Sequence, residues 1–161
     1  MNRLNLEEYG CLLTIAGKSR SEDNFTQVSV VGFDKNKRIC GICYNGLDVG
    51  MTKPLWMDRQ DMREKKSLFW HHAELNLLSL IKKDECKLVC CSISPCFACL
   101  KTLCAHGIKK IVYWDWYERF PKDQEKDYYE YLKFYNIDCY ELSKESKQRV
   151  KDYLLRETDR L

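Results

Sequence analysis

The chain has 161 residues, the size of one ordinary domain, so its length requires no second domain. Its composition is 45% hydrophobic and 32% charged with few Gly or Pro, and we expect a globular protein with neither a membrane span nor a signal peptide. The net charge of +3 is too small to indicate a polyanionic partner, and the ten cysteines fit a reducing, cytoplasmic setting better than a secreted disulfide scaffold.

The first part of the chain predicts a helix, a hairpin and a long loop. Asn5 and Glu8 have the spacing of a capping box, and the apolar residues that follow at helical spacing predict a first helix that ends near Lys18. Two runs at 26–33 and 38–44, joined by a polar turn, predict a β-hairpin. The stretch 47–70 shows no clear period, so we expect a long loop beside the active site.

The second part predicts alternating helices and strands. Helices are expected at 72–81, 97–105, 123–135 and 143–156, and strands at 88–92, 108–114 and 137–142. Strands joined by helical crossovers run parallel, whereas hairpin strands run antiparallel. The order predicts a three-layer α/β/α domain over 1–161, with a mixed five-stranded sheet and a C-terminal helix within 143–161.

Two short motifs carry the chemistry. His72-Ala73-Glu74 is followed further along the chain by Pro95-Cys96-Phe97-Ala98-Cys99. One imidazole and two thiolates are ligands that Zn²⁺ prefers, and the open fourth position would take a water whose proton a nearby carboxylate can accept. Together the motifs match the zinc-deaminase signature H-x-E…P-C-x-x-C. We predict His72, Cys96 and Cys99 as Zn²⁺ ligands and Glu74 as the catalytic acid–base.

Both motifs are predicted to open helices. The two cysteines lie where the strand 88–92 gives way to the helix 97–105, and the free N–H groups of a first helical turn favour thiolates. The histidine and the carboxylate open the helix 72–81. Both helices begin at one end of the sheet, where binding sites of α/β folds are usually found.

Other residues are alternatives for the metal site. His71 precedes the predicted ligand but stands outside the H-x-E register. Cys40 and Cys43 form a second C-x-x-C, but residues three apart on a strand point to opposite faces, so we interpret them as buried free thiols. A closed, non-catalytic zinc site is a further alternative, and it would need a fourth thiolate from Cys90, Cys91 or Cys104.

A nucleic-acid base deaminase acting on tRNA or single-stranded DNA is an alternative function. Such an enzyme would share the zinc core but need a groove of basic and aromatic side chains to hold the strand. The run Tyr113-Trp114-Asp115-Trp116-Tyr117 with Arg119 favours it, although alternate residues of a strand more often pack in a core.

From residue 9 to about 142 the chain resembles the deoxycytidylate (dCMP) deaminases of the cytidine deaminase superfamily. Beyond the zinc motif, the similarity covers five segments in order: Arg20-Ser21-Glu22-Asp23, Thr26-Gln27-Val28, Tyr44-Asn45-Gly46, Pro54-Leu55-Trp56 and Ala105-His106-Gly107-Ile108-Lys109-Lys110. The resemblance implies a cytidine-deaminase-like fold, zinc-dependent conversion of dCMP to dUMP and ammonia, and a homo-oligomer, either a dimer or a hexamer.

The resemblance also implies roles for residues outside the zinc motif. Asn45 would hydrogen-bond the sugar, and Arg20 and Ser21 would lie near the 5′-phosphate. The Ser94 carbonyl would accept a hydrogen bond from the exocyclic amine, and Tyr117 would lie near the nucleotide. The predicted substrate-binding set is Arg20, Ser21, Asn45, Ala73, Ser94 and Tyr117.

Two residues depart from the family pattern. Ser29 and Cys43 stand where the family usually has Gly. The second lies beside the segment that dCTP-activated members use for that nucleotide, so it argues against control by dCTP, which stays a candidate effector. The sequence leaves dCMP, dCTP and a 5-modified dCMP open as substrates, because discrimination among them depends on the shape of the loop 47–70.

Overall fold

A computed structural model describes residues 3–161; Met1 and Asn2, which belong to the predicted domain 1–161, lie outside the described residues. At its centre is a five-stranded sheet in the order β2-β1-β3-β4-β5. Its strands are β1 (Ser29–Asp34), β2 (Ile39–Tyr44), β3 (Cys86–Ile93), β4 (Lys110–Asp115) and β5 (Asp138–Glu141). β1 runs antiparallel to β2 and β3, whereas β3, β4 and β5 are parallel. The predicted mixed sheet, a hairpin followed by parallel strands, is confirmed.

The α-helices of residues 3–161 are α1 (Leu6–Gly17), α2 (Arg63–Ser67), α3 (Ala73–Leu78), α4 (Phe97–Ala105), α5 (Lys122–Phe134) and α6 (Lys144–Thr158). Helices α3, α4 and α5 cover one face of the sheet through a core that includes Leu77, Leu103 and Tyr128. On the other face α1 packs through Cys11, with α6 beside it. These layers confirm the predicted α/β/α architecture. No helix of residues 3–161 is both long enough and apolar enough to cross a bilayer.

The first helix shows how a local signal is tied into the fold. Asn5 Oδ1 accepts a hydrogen bond from the Glu8 amide at 2.8 Å, and the Asn5 amide donates to Glu8 Oε2 at 2.9 Å, which is the predicted capping box. Glu8 is buried, and its other oxygen, Oε1, lies 3.2 Å from Arg149 Nε. The cap therefore also joins α1 to α6.

The segment 47–70 is not the continuous loop predicted from the sequence. It contains two 3₁₀ turns, Leu55–Asp58 and Gln60–Met62, followed by α2. Elements of one turn are too short to show a hydrophobic period, which is why the sequence pattern missed them. Backbone hydrogen bonds between Gly46 and His71, of 2.8 and 3.1 Å, bring the two ends of the segment together.

Two element boundaries differ from the prediction by three residues, and the others by no more than two. The first strand begins at Ser29 rather than at residue 26, because backbone amides before it donate to side chains instead of to a neighbouring strand; the Thr26 amide donates to Asp23 Oδ1 and the Val28 amide to Asn45 Oδ1. The helix α3 ends at Leu78 rather than at residue 81, although Ile81 is buried in the same core.

Candidate active site

The three predicted zinc ligands lie together at the starts of two helices. His72 Nδ1 is 3.3 Å from Cys99 Sγ and 3.7 Å from Cys96 Sγ. All three donor atoms lie within 4.8 Å of one another. Ligands bound to one tetrahedral zinc at about 2.0–2.3 Å are themselves roughly 3.5 Å apart, so this donor set fits Zn²⁺ with three protein ligands.

The backbone around α4 explains how the thiols converge. Cys96 is the N-cap of α4 rather than a residue of its first turn, and its Sγ accepts a hydrogen bond from the Cys99 amide at 3.4 Å. Hydrogen bonds with the Cys99 thiol, and then with the His72 ring, lower the pKa of Cys96 to about 4. The bond to Cys96 raises the pKa of Cys99 in turn. Without a cation the pair therefore favours one thiolate, and a dication stabilises both.

Glu74 lies in the first turn of α3 and is 3% exposed. Burial raises the pKa of its carboxyl group. The metal cluster does not include it. Glu74 is thus a buried carboxyl beside the donor cluster whose oxygens remain available for proton transfer.

A cavity of about 150 Å³ opens above these groups. Its wall includes His72, Cys96 and Glu74 of the zinc motif. Four of the predicted substrate-binding residues also line it: Asn45, Ala73, Ser94 and Tyr117. The structure therefore gathers the zinc motif and most of the predicted binding set around one cavity.

Arg20 and Ser21 do not line this cavity. The 3₁₀ turn Lys18–Arg20 leaves Arg20 exposed to solvent and turns Ser21 inward. The buried Ser21 hydroxyl is 2.6 Å from Asn45 Oδ1 and 3.0 Å from the Asn45 carbonyl, so it is engaged within the protein. The structure does not place these two residues in the cavity wall; Ser21 instead supports Asn45.

Asn45 is held rigidly by its surroundings. Its Oδ1 also accepts from the Val28 amide at 2.9 Å, and its Nδ2 donates to the Thr26 carbonyl at 2.9 Å. The second Nδ2 hydrogen has only a long contact of 3.5 Å, with Asp23 Oδ2. That hydrogen is the one that a ligand in the cavity could take over.

Three charged residues of the cavity wall have no role predicted from the sequence: Asp23, Arg63 and Lys66. Lys66 Nζ lies 2.6 Å from Asp23 Oδ1, and both side chains are buried. The available signal was the basic run that begins at Arg63, but such runs usually lie on a solvated face. Nothing local in the sequence pairs Lys66 with an aspartate 43 residues earlier.

The alternative metal ligands lie elsewhere. His71 Nε2 is 2.9 Å from Asp48 Oδ1. Cys40 and Cys43 do not point to opposite faces as predicted: a β-bulge leaves Cys40 without a partner residue on β1, and both side chains pack against the same core cluster. Among residues 3–161, no fourth thiolate joins the metal cluster, neither from these cysteines nor from Cys90, Cys91 or Cys104.

The aromatic run that begins in β4 is packed against the core, with Tyr113 buried and Trp114, Trp116 and Tyr117 half-buried. Tyr113 and Trp116 contact one core cluster and Trp114 contacts the other. Tyr117 lines the cavity, and its amide donates to Ser94 Oγ at 2.9 Å. These rings therefore do not form the exposed stacking platform that strand binding requires.

Comparison with known proteins identifies a family. The family model described as the cytidine and deoxycytidylate deaminase zinc-binding region matches residues 7–115. A probable deoxycytidylate deaminase of Caenorhabditis elegans is 32% identical over 99 residues, which cover 58% of this chain and 49% of the relative. The deoxycytidylate deaminase of Mus musculus is 29% identical over 117 residues, 68% of this chain and 65% of the relative. The chain thus spans 49% of the length of the first relative and 65% of the length of the second.

Solved structures show the same fold. A dCMP deaminase from the cyanophage S-TIM5, in complex with dCMP and dUMP, has a TM-score of 0.66 and 19% identity, covering 88% of this chain and 100% of that chain. A structure from a study of tRNA:A34 deaminases has a TM-score of 0.51 and 12% identity, covering 89% of this chain and 97% of that chain. At identities of 19% and 12%, the likeness to these two structures shows the fold alone.

Proposed function

Since this chain belongs to the cytidine and deoxycytidylate deaminase zinc-binding family, we propose that it is a single zinc-dependent deaminase domain that hydrolyses dCMP to dUMP and ammonia. One observation carries the proposal: the buried carboxyl of Glu74 shares a cavity with the three-donor cluster without belonging to it. Hydrolytic deamination needs a zinc site with an open position and a carboxylate that is not a ligand. The name of the mouse relative supports dCMP as the substrate.

The chemistry divides between the metal and the protein. His72, Cys96 and Cys99 would hold Zn²⁺, and its Lewis acidity would make water a nucleophile at neutral pH. Glu74 accepts a proton from the water that attacks C4 of the cytosine ring and passes a proton to ring N3. A further transfer through Glu74 protonates the leaving amine, which departs as ammonia. Because Glu74 is fixed beside the reacting atoms, each transfer is intramolecular.

The base is oriented by the segment that follows β3. The Ser94 amide donates to the Asp115 carbonyl at 2.9 Å, and Ser94 Oγ accepts from the Tyr117 amide. The backbone carbonyl of Ser94 accepts no hydrogen bond from a backbone amide of residues 3–161. We assign this carbonyl as the acceptor for the exocyclic amine of the cytosine, and the Asn45 N–H that makes only the long contact with Asp23 as a donor to the sugar.

Ammonia release over a panel of substrates tests the proposed function. The zinc-loaded protein is assayed with dCMP, dCTP, 5-methyl-dCMP, deoxycytidine and a cytosine-containing single-stranded DNA. We expect dCMP to give the highest kcat/KM and the oligonucleotide to give no turnover. Activity on the oligonucleotide alone, falling steeply as salt rises, would show a strand-binding enzyme and contradict the proposal.

The assembly and its regulation are tested separately. We propose a homo-oligomer, a dimer or a hexamer, supported by the family resemblance and by large apolar side chains that stand exposed in the segment 47–70: Val49, Met51, Leu55, Leu68 and Phe69. Light scattering on the purified chain checks this, and a monomer at micromolar concentration contradicts it. Repeating the ammonia assay with added dCTP tests that nucleotide as an effector.

A further inference from the structure

We propose that the cavity contains a phosphate-monoester subsite centred on Arg63, which selects a nucleoside 5′-monophosphate over a nucleoside. The choice of a nucleoside 5′-monophosphate as the ligand rests on the proposed function. The choice of Arg63 as its contact rests on the residues of the cavity wall. It transfers to Arg63 the phosphate contact that the sequence resemblance gave to Arg20.

Arg63 is the cation of the wall that lacks a carboxylate partner. Of the two basic side chains there, Lys66 is neutralised by Asp23 at 2.6 Å. Arg63 has no ion pair among residues 3–161. Within residues 3–161 its guanidinium donates one hydrogen bond, to Thr26 Oγ1 at 2.9 Å, so most of the five N–H donors are free. A planar guanidinium with free donors binds a phosphate through two parallel hydrogen bonds.

The position of Arg63 fits a 5′-phosphate. Thr26 accepts a hydrogen bond from Arg63 through its hydroxyl and one from Asn45 through its carbonyl, each at 2.9 Å. Arg63 is therefore separated by a single residue from the side chain assigned to the sugar, and the phosphate is the group attached to that sugar. The Phe25 ring, 5.2 Å from Arg63 Cζ, holds the guanidinium in place before the ligand arrives.

Arg20 lacks each of these features. Its side chain is exposed and does not line the cavity, and the neighbouring Ser21 hydroxyl is engaged with Asn45. A cation at the surface remains hydrated and has little to gain from one phosphate. If Arg63 contacts the phosphate, Arg63→Ala should lose the preference for dCMP over deoxycytidine. If Arg20 does, Arg20→Ala should lose it.

Kinetics with paired substrates separate the two. Arg63→Ala should lower kcat/KM for dCMP by roughly 10- to 100-fold, the range expected for lost charged hydrogen bonds, and change that for deoxycytidine by less than about 3-fold. Arg63→Lys keeps the charge but not the planar guanidinium, so its kcat/KM for dCMP should lie between those of the wild type and Arg63→Ala. Arg59→Ala is the matched control, since Arg59 is an exposed arginine of the same segment paired with Asp61, and it should behave as wild type. Arg20→Ala should also retain the preference for dCMP.

Binding gives a readout that needs no turnover. Titration calorimetry with dUMP and deoxyuridine should show that the wild type prefers dUMP and that Arg63→Ala loses the preference. An unchanged preference in Arg63→Ala, or an equal loss of affinity for both ligands, would overturn the subsite, as would loss of the preference in Arg20→Ala alone. A wild type that deaminates neither dCMP nor deoxycytidine would instead refute the proposed function, and the calorimetric comparison would still decide the subsite.

Discussion

Replacing Lys66 by Met tests the buried ion pair in the cavity wall. The Lys66 and Asp23 side chains are 6% and 7% exposed, with Nζ and Oδ1 2.6 Å apart. Methionine keeps much of the apolar stem but removes the charge, so the Asp23 carboxylate stays buried without its partner. Removing one member of a buried pair usually costs about 3–5 kcal/mol of unfolding free energy.

The surroundings of Asp23 place the cost toward the lower end of that range. Asp23 Oδ1 also accepts hydrogen bonds from the amides of Phe25 and Thr26, at 2.8 and 3.1 Å, and these remain in the variant. The variant also loses the contacts of Lys66 Nζ with the rings of Phe25 and Trp70, at 4.8 and 4.9 Å, and this loss keeps the cost from falling below the range. We expect a loss of about 3–4 kcal/mol, which lowers the Tm of a chain of this size by about 6–16 °C.

Urea unfolding followed by circular dichroism measures this loss on the zinc-loaded protein. Arg59→Ala is the control, because Arg59 and Asp61 are also 2.6 Å apart but are 59% and 60% exposed. An exposed pair contributes about 0–1 kcal/mol. If Lys66→Met loses no more stability than Arg59→Ala, the buried pair does not stabilise the cavity wall.

Three further predictions concern the site and its scaffold. Glu74→Gln should retain zinc by metal analysis but lose roughly 10²–10⁴-fold in turnover, because an amide cannot accept the proton; near-normal ammonia release would show that Glu74 is not the catalytic acid–base. The purified protein should hold one zinc per chain, lost in Cys96→Ala or Cys99→Ala but kept in Cys40→Ala; loss in Cys40→Ala with zinc kept in the other two would place the metal at the other C-x-x-C. Gly107→Ala should cost about 1–3 kcal/mol in urea unfolding, because Gly107 ends α4 with φ +91°; a variant as stable as wild type would contradict this.

The sequence predicted those parts of the molecule that depend on neighbours along the chain. The Asn5–Glu8 cap and the start of α4 at Cys96 each involve hydrogen bonds between residues three apart, which leave a readable spacing. The pair of Lys66 with Asp23 spans 43 residues and has no such spacing. Its formation depends on how the 3₁₀ turns of 55–62 fold back, and those turns carry no hydrophobic period.

For the same reason the phosphate contact could not be located from residue type alone. Arg20 and Arg63 are both arginines near polar segments, and the sequence resemblance favoured the first. The structure separates them by exposure: a 3₁₀ turn directs Arg20 to solvent, whereas α2 places Arg63 in the cavity wall. The zinc motif escaped this ambiguity because its residue types and their order are themselves restrictive.

The hydrogen bonds between Gly46 and His71 bear on how such a site can diversify. They join the two ends of the segment 47–70, which supplies Arg63 and Lys66 to the cavity wall, while the metal donors and Glu74 lie at the starts of α3 and α4, outside the segment. A loop whose ends already meet can change in length at a small entropic cost, about 0.6 kcal/mol for each doubling. The segment can therefore vary in length or sequence, and with it the part of the cavity wall that carries Arg63 and Lys66, without displacing the metal donors or Glu74.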